Sequence, residues 1–278
     1  MAKTAFPLGL TLYSFTPEYN TIQWSLEDCM WRAGQLGPGT GVEIVGSQHN
    51  PYHPNVTQAF INTFRNSAER NGVALTSYGT YSGEWTGRTF TDDEEVEFIA
   101  VQLKTASRMG FPLARVQYPL LNVMEKILPY TEKYKVRMVY EIHSPSQITS
   151  ELAQGLYAQC KRVSSEYLGL CPDAGIFESK GGPGPEGQQW GLESPSKPED
   201  LAGIMDYVWH FHGKFHYMVK GEIPAIPYEG IVRELVKGGY KGYMSTEFES
   251  SALGDYPNSF EIVKAHHALL RRYIQKYS

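Results

Sequence analysis

Val136-Arg137-Met138-Val139-Tyr140-Glu141-Ile142-His143, Leu168-Gly169-Leu170-Cys171-Pro172-Asp173, Tyr207-Val208-Trp209-His210-Phe211-His212 and Gly242-Tyr243-Met244-Ser245-Thr246-Glu247 are four runs of one kind. Each reads as a buried strand that enters a loop on a possible metal ligand. Carboxylate, carboxylate, imidazole and carboxylate at strand ends suit a divalent cation such as Mn²⁺ or Mg²⁺. If the strands are parallel neighbours in a barrel, the four side chains meet at one mouth.

The rest of the chain supports that arrangement, because strand and helix patterns alternate throughout. Strands are expected at Gly9–Ser14, Gly41–Gly46, Val73–Tyr81 and Leu113–Tyr118, followed by the four quoted runs. Helices are expected at Leu26–Leu36, Val56–Asn71, Asp92–Met109, Leu121–Tyr134, Ile148–Ser164 and Ser259–Tyr277. Ser25 is a natural N-cap, Gly37 and Gly72 are natural stops, and Thr91-Asp92-Asp93-Glu94 has the form of a capping box. Eight such units in 278 residues predict a single-domain (β/α)8 TIM barrel over residues 1–278. The stretch Glu178–Pro198 carries Gly181-Gly182-Pro183-Gly184-Pro185-Glu186-Gly187 and reads as a long loop, a candidate lid over the mouth.

Composition narrows the function. The net charge of −5 and the lack of a basic cluster argue against nucleic-acid binding. No apolar run approaches the ~20 residues of a membrane span. The opening residues have no long apolar segment, and Cys29, Cys160 and Cys171 form no Cys-x-x-Cys pair, so a reducing cytoplasm is expected. Cys171 can face the barrel interior but reads first as a small core residue. No Gly-x-Gly-x-x-Gly follows a strand, so no nicotinamide cofactor is expected.

Strand parity decides more than residue type, since alternate residues face the interior. Val139, Glu141 and His143 share one face; so do His210, His212 and Lys214, and Tyr243, Ser245, Glu247 and Glu249. Clustered buried carboxylates repel, and a cation resolves the repulsion. The alternative is a set of structural ion pairs with Arg115, Arg137 or Lys214. His49 and His53 lie in the polar loop Gln48–Pro54 at the mouth, where a surface role competes with substrate contact. His210, Lys214, His216, Gln117, Tyr13 and His53 are the candidates for touching substrate; Tyr78, Tyr81, Trp85 and Trp190 are further candidates for lining the site. His266 and His267 fall in the last helix and read as structural.

The order Glu, Asp, His, Glu on the last four strands resembles the xylose isomerase-like barrels, which include keto-sugar epimerases, hydroxypyruvate isomerase and inosose dehydratase. The likeness rests on Tyr140-Glu141, Pro172-Asp173, His210-Phe211-His212 and Ser245-Thr246-Glu247. It implies one divalent metal held by Glu141, Asp173, His212 and Glu247. The chain departs from the epimerases at Ile176, at Gly213-Lys214-Phe215-His216 and at Gln147, where they carry a His, a polar turn and a second Glu.

A narrower likeness runs through Tyr140-Glu141-Ile142-His143, Pro172-Asp173-Ala174-Gly175-Ile176-Phe177, His210-Phe211-His212-Gly213-Lys214-Phe215 and Glu247-Phe248-Glu249. These look like the catalytic α subunits of bacterial C-glycoside deglycosidases. That resemblance implies a Mn²⁺-dependent lyase acting on 3-oxo-C-glycosides, with Mg²⁺ or Co²⁺ as other metals. It also implies a smaller β subunit as partner and His143 as base. The other reading is a metal-dependent keto-sugar isomerase or epimerase with Glu141 and Glu247 as an acid–base pair. A scaffold role leaves the carboxylate cluster unexplained. An endonuclease of this fold would carry more ligands and a basic mouth.

Overall fold

The computed structural model describes residues 5–116, 120–180, 191–249 and 256–278. Eight parallel strands lie in the order β6-β5-β4-β3-β2-β1-β8-β7. They are β1 (Leu8–Thr11), β2 (Gly41–Val45), β3 (Ala74–Thr80), β4 (Leu113–Val116), β5 (Arg137–Ile142), β6 (Leu168–Pro172), β7 (His210–Phe215) and β8 (Tyr243–Phe248). The ends of this order meet at a seam. Trp209 N–H donates to Leu170 O at 3.0 Å, and single parallel bridges join Leu170 to Val208 and Asp173 to His212. Pro172 has no N–H to give, which keeps this ladder short. The barrel is therefore nearly closed, and the bridge between Asp173 and His212 lies at the seam.

Around it run α1 (Thr16–Asn20), α2 (Leu26–Gln35), α3 (Gly46–His49), α4 (Gln58–Arg70), α5 (Asp92–Met109), α6 (Met124–Tyr134), α7 (Glu151–Val163), α8 (Tyr228–Lys237) and α9 (Ser259–Tyr277). The expected caps form: the Ser25 side chain accepts from Asp28 N–H, and Thr91 with Glu94 makes the reciprocal pair that opens α5. Gly72 at φ +63° takes the left-handed turn that ends α4.

Strand parity explains the two cores. Outward residues such as Leu10, Val42, Ile44, Met138, Tyr140, Leu170, Phe211 and Met244 pack with the helices in the large apolar core. Among the inward residues, Leu113, Val139 and Cys171 form a small apolar cluster with Trp209. Polar inward residues lie beyond it along the strands, and Gly79 gives them room: a Cβ there would stand 2.9 Å from Arg115 Nη2.

Several expectations shift. The first strand ends at Thr11, and Leu12–Phe15 form a 3-10 turn held by the Thr11 hydroxyl accepting from Tyr13 N–H. The seventh strand starts at His210 rather than ending at His212, because the β8 ladder begins with His210 opposite Tyr243. His212 is thus inside a strand. α8 has no counterpart among the expected helices; it begins at Tyr228, just past Pro227. The long loop has a paired stem, with Lys180 N–H donating to Leu192 O and Leu192 N–H to Glu178 O. Residues 181–190, the centre of the candidate lid, lie outside the described residues.

Candidate metal centre and mouth cavity

β5, β6, β7 and β8 each deliver one donor to the same point. Glu141, Asp173, His212 and Glu247 present ligand atoms that all lie within 4.8 Å of one another. Their exposures are 5%, 0%, 0% and 7%, so water does little to screen them. His212 Nδ1 stands 3.0 Å from Glu141 Oε1, 3.1 Å from Glu247 Oε2 and 3.9 Å from Asp173 Oδ2. Asp173 Oδ1 accepts from Gly175 N–H at 2.7 Å, while its buried Oδ2 has no hydrogen-bond partner among the described residues. An orphaned carboxylate oxygen facing two carboxylates and an imidazole fits a divalent cation. Three oxygens and one nitrogen suit Mn²⁺, Mg²⁺ or Co²⁺ better than a thiolate-seeking metal.

Two charged residues that are not donors to this point complete the centre. Arg115 Nη1 donates to Glu141 Oε2 at 2.8 Å, and its Nε donates to Glu43 Oε1 at 2.9 Å. Glu43 Oε2 in turn lies 3.1 Å from His212 Nε2. His210 Nε2 is 3.2 Å from the same oxygen, though not aligned as a hydrogen bond. Glu43 was missed in the sequence, and Arg115 was weighed only as an ion-pair partner. Their signal was present: each is a charged residue on the inward parity of a buried strand.

The electrostatics follow from burial and pairing. Burial pushes the Glu43 and Glu141 carboxyls up, but the facing cations outweigh it and hold both below the usual range. For Glu43 those cations are His212 and Arg115; for Glu141 Arg115 comes first. Glu247 is likewise held low against burial by His212 and Lys214. Burial opposes charge on His212, yet Glu43 and Glu247 hold its imidazole well above the ordinary value. On His210 burial prevails and keeps the ring neutral. Asp173 is pushed up to about 7 by burial, against the pull of Lys214 and His143.

Above the donors opens a cavity of about 340 Å³, lined by Tyr13, Tyr81, Arg115, Glu141, His143, Lys214, Glu247 and Glu249 among others. His143 Nδ1 lies 2.7 Å from Ser144 O, so that nitrogen carries the hydrogen. Its Nε2 accepts from Lys214 Nζ at 2.7 Å. Lys214 also pairs with Glu249. Burial alone would lower the Lys214 ammonium, but Asp173 and Glu249 outweigh it and hold it above its ordinary value.

Other candidates fall elsewhere. His210 lies deeper, against Glu43. His216 Nδ1 is 3.1 Å from Glu178 Oε2, beside the loop stem. His53 is not among the lining residues of this cavity; its ring meets Phe98 edge-on and its Nδ1 lies 3.3 Å from the Tyr78 hydroxyl. Tyr78 is turned outward against Phe111. His49, expected on the surface, is fully buried, because Gly46–His49 turns as a helix and brings Nδ1 3.1 Å from Val45 N. His266 and His267 are buried on α9, beside Thr246 Oγ1 and Gly9 O. Cys171 is buried in the small cluster below the donors. Gln117 and Trp190 lie outside the described residues, as does the side chain of Trp85.

The family described as "Xylose isomerase-like TIM barrel" matches residues 33–273. This chain belongs to that family. It is 32% identical to a 3'-dehydrocarminate deglycosidase alpha subunit from Microbacterium, over 98% of this chain and 97% of that one. It is 28% identical to a C-glycoside deglycosidase alpha subunit from Arthrobacter globiformis, over 99% and 94%. Among solved structures it resembles a D-psicose 3-epimerase from Clostridium cellulolyticum, with a TM-score of 0.69 at 15% identity over 97% and 99% of the two chains. A 3-keto-D-glucoside 4-epimerase from E. coli gives 0.65 at 12% over 96% and 99%. These two likenesses show a shared fold. No helix among the described residues is long and apolar enough to cross a membrane.

Proposed function

We propose that this chain is the metal-carrying α subunit of a C-glycoside deglycosidase, a carbon–carbon lyase that acts on 3-oxo-C-glycosides. The observation that carries the reading is His143 beside the donor cluster. It sits two residues past Glu141, just beyond the end of β5, in the mouth cavity, with its proton on Nδ1 and a lone pair on Nε2.

A ketone at C3 of the sugar makes the C2 proton acidic. The metal, held by Glu141, Asp173, His212 and Glu247, supplies Lewis-acid polarisation of the C3 carbonyl when bound. His143 Nε2 takes the C2 proton once substrate displaces Lys214 from that lone pair. Glu249, already paired with Lys214, retains the ammonium at the mouth. The electrons of the C2–H bond form the C1=C2 double bond. The C1–aglycone bond breaks, and the aglycone carbon leaves with its electron pair and takes up a proton. Products therefore sum to substrate, with no water and no nicotinamide consumed.

The names of the relatives support the substrate class and, as alpha subunits, a smaller β partner. The epimerase alternative would ask Glu141 to give and take protons. Its second oxygen is committed to Arg115, which holds the carboxyl down and makes it a poor acid. Mn²⁺ is the metal we assign, on the donor set and the resemblance together.

The test is metal analysis followed by an assay of the loaded protein, with and without its β partner, on a 3-oxo-C-glucoside. Release of free aglycone, lost in EDTA and restored by Mn²⁺, is the expected result. Exchange of a ketohexose C3 proton without aglycone release would move the chain to the epimerases.

A further inference from the structure

Four charged side chains close a ring inside the barrel, and each carboxylate uses both of its oxygens. Arg115 Nε meets Glu43 Oε1 at 2.9 Å, and Arg115 Nη1 meets Glu141 Oε2 at 2.8 Å. Glu141 Oε1 meets His212 Nδ1 at 3.0 Å, and His212 Nε2 returns to Glu43 Oε2 at 3.1 Å. Arg115, Glu43, Glu141 and His212 come from β4, β2, β5 and β7, and all four are buried.

Glu43, His210 and His212 also lie close enough to hold a cation of their own. The Arg115 guanidinium on Glu43 argues against that, since it already supplies the positive charge. A charged carboxylate buried in the barrel floor costs free energy unless it serves a partner. Its partner is the Nε2–H of His212.

We propose that Glu43 and Arg115 are positioning residues that select which atoms the metal receives. The inference rests on the metal-centre reading given above. Glu43 accepts the Nε2–H of His212, so the ring offers its Nδ1 lone pair to the donor cluster. Arg115 occupies Oε2 of Glu141, so that ligand offers Oε1 alone. The arginine also ties the two carboxylates together, so that Glu43 and Glu141 are held as one unit. A carboxylate behind a ligating histidine fixes its tautomer and typically changes metal affinity by about 10–100-fold.

The first measurement uses the intact wild-type protein loaded with ¹¹³Cd²⁺ and labelled with ¹⁵N-histidine. Cadmium coupling to His212 Nδ1, with a hydrogen retained on Nε2, is expected. Coupling to Nε2 would overturn the proposal. The second compares Mn²⁺ dissociation constants, read by the EPR signal of free Mn²⁺, for wild type, E43Q and E43L. The amide introduced by E43Q keeps an acceptor for His212 but gives up the ionic pair with Arg115. Affinity should fall about 10-fold in E43Q and about 100-fold in E43L. Folded E43L that binds Mn²⁺ within twofold of wild type would overturn the role of Glu43. Wild type that binds no divalent metal would overturn the metal reading itself, a result distinct from either of these.

Discussion

Lys214 Nζ stands 2.7 Å from His143 Nε2, at the nitrogen that the proposed chemistry needs free. The contact holds the ring in the mouth cavity, where substrate must displace the ammonium. Neither ring nitrogen belongs to the donor cluster. His143→Ala should therefore lower kcat by about 10²–10⁴-fold, the usual weight of a positioned base, and leave metal content unchanged. Aglycone release and bound Mn²⁺, measured on the same sample, check both halves. Near-normal release from the variant would remove His143 from the mechanism.

Arg115 offers a second test, of stability. It is the buried cation between Glu43 and Glu141, and removing one partner of such a pair strands the other charges. Arg115→Met should destabilise the protein by about 3–5 kcal/mol, read from urea unfolding. Arg115→Lys should recover part of that loss, because an ammonium restores charge but not the two-sided fork. A midpoint for Arg115→Met equal to that of wild type would show that the ring carries no net stability.

Much of this was legible in the chain. Alternation of strand and helix pointed to the barrel, and α5 and α9 match their expected limits because caps mark them sharply. Parity placed Glu141, His143, Lys214, Glu247 and Glu249 on inward faces. The seventh strand slipped because Tyr207-Val208-Trp209 is apolar enough to read as strand, whereas pairing with β8 starts only at His210. His49 was misplaced for a related reason. A polar loop composition conceals a helical turn that buries the ring against Tyr19. The ring through Glu43 and Arg115 required knowing that β2 and β4 face β7 across the barrel, and that is not a local property of any segment.

Metal uptake should depend on pH with a break near neutrality. Burial raises Asp173 to about 7, so below that pH the cation must displace its proton. His212, held above its ordinary value by Glu43 and Glu247 against the cost of burial, must also give up the Nδ1 proton. Apparent Mn²⁺ affinity should rise with a slope of about two decades per pH unit below pH 7 and about one above it. Titrations from pH 5.5 to 8, with proton release followed in weakly buffered solution, read this directly. A slope of about one decade per pH unit on both sides of pH 7 would mean that Asp173 is ionised before the metal binds.

Acid stability of the metal-free protein provides the last test, and its sign follows from the histidines. Burial lowers His49 and His53 to about 4 and His267 to about 3. Unfolded, each would titrate near 6.5, so between about 4 and 6.5 the unfolded chain binds protons that the folded chain refuses. Their contribution is complete above pH 6.5 and is lost as pH falls through that window. At neutral pH it is on the order of 3 kcal/mol for fully buried His49 and on the order of 5 kcal/mol for His267, whose share is lost down to about pH 3. Asp173 acts in the opposite sense, since it keeps a proton that the unfolded chain gives up between 3.8 and about 7. Burial also lowers His210 and His266, so the protons these rings gain outnumber the one Asp173 loses, and unfolding at pH 5 takes up protons. The urea midpoint in EDTA should therefore fall steadily from pH 6.5 to pH 4.5. His49→Gln should flatten that decline by about one proton, because its amide cannot charge. A midpoint that holds constant over this range would show that these rings accept protons without leaving the core.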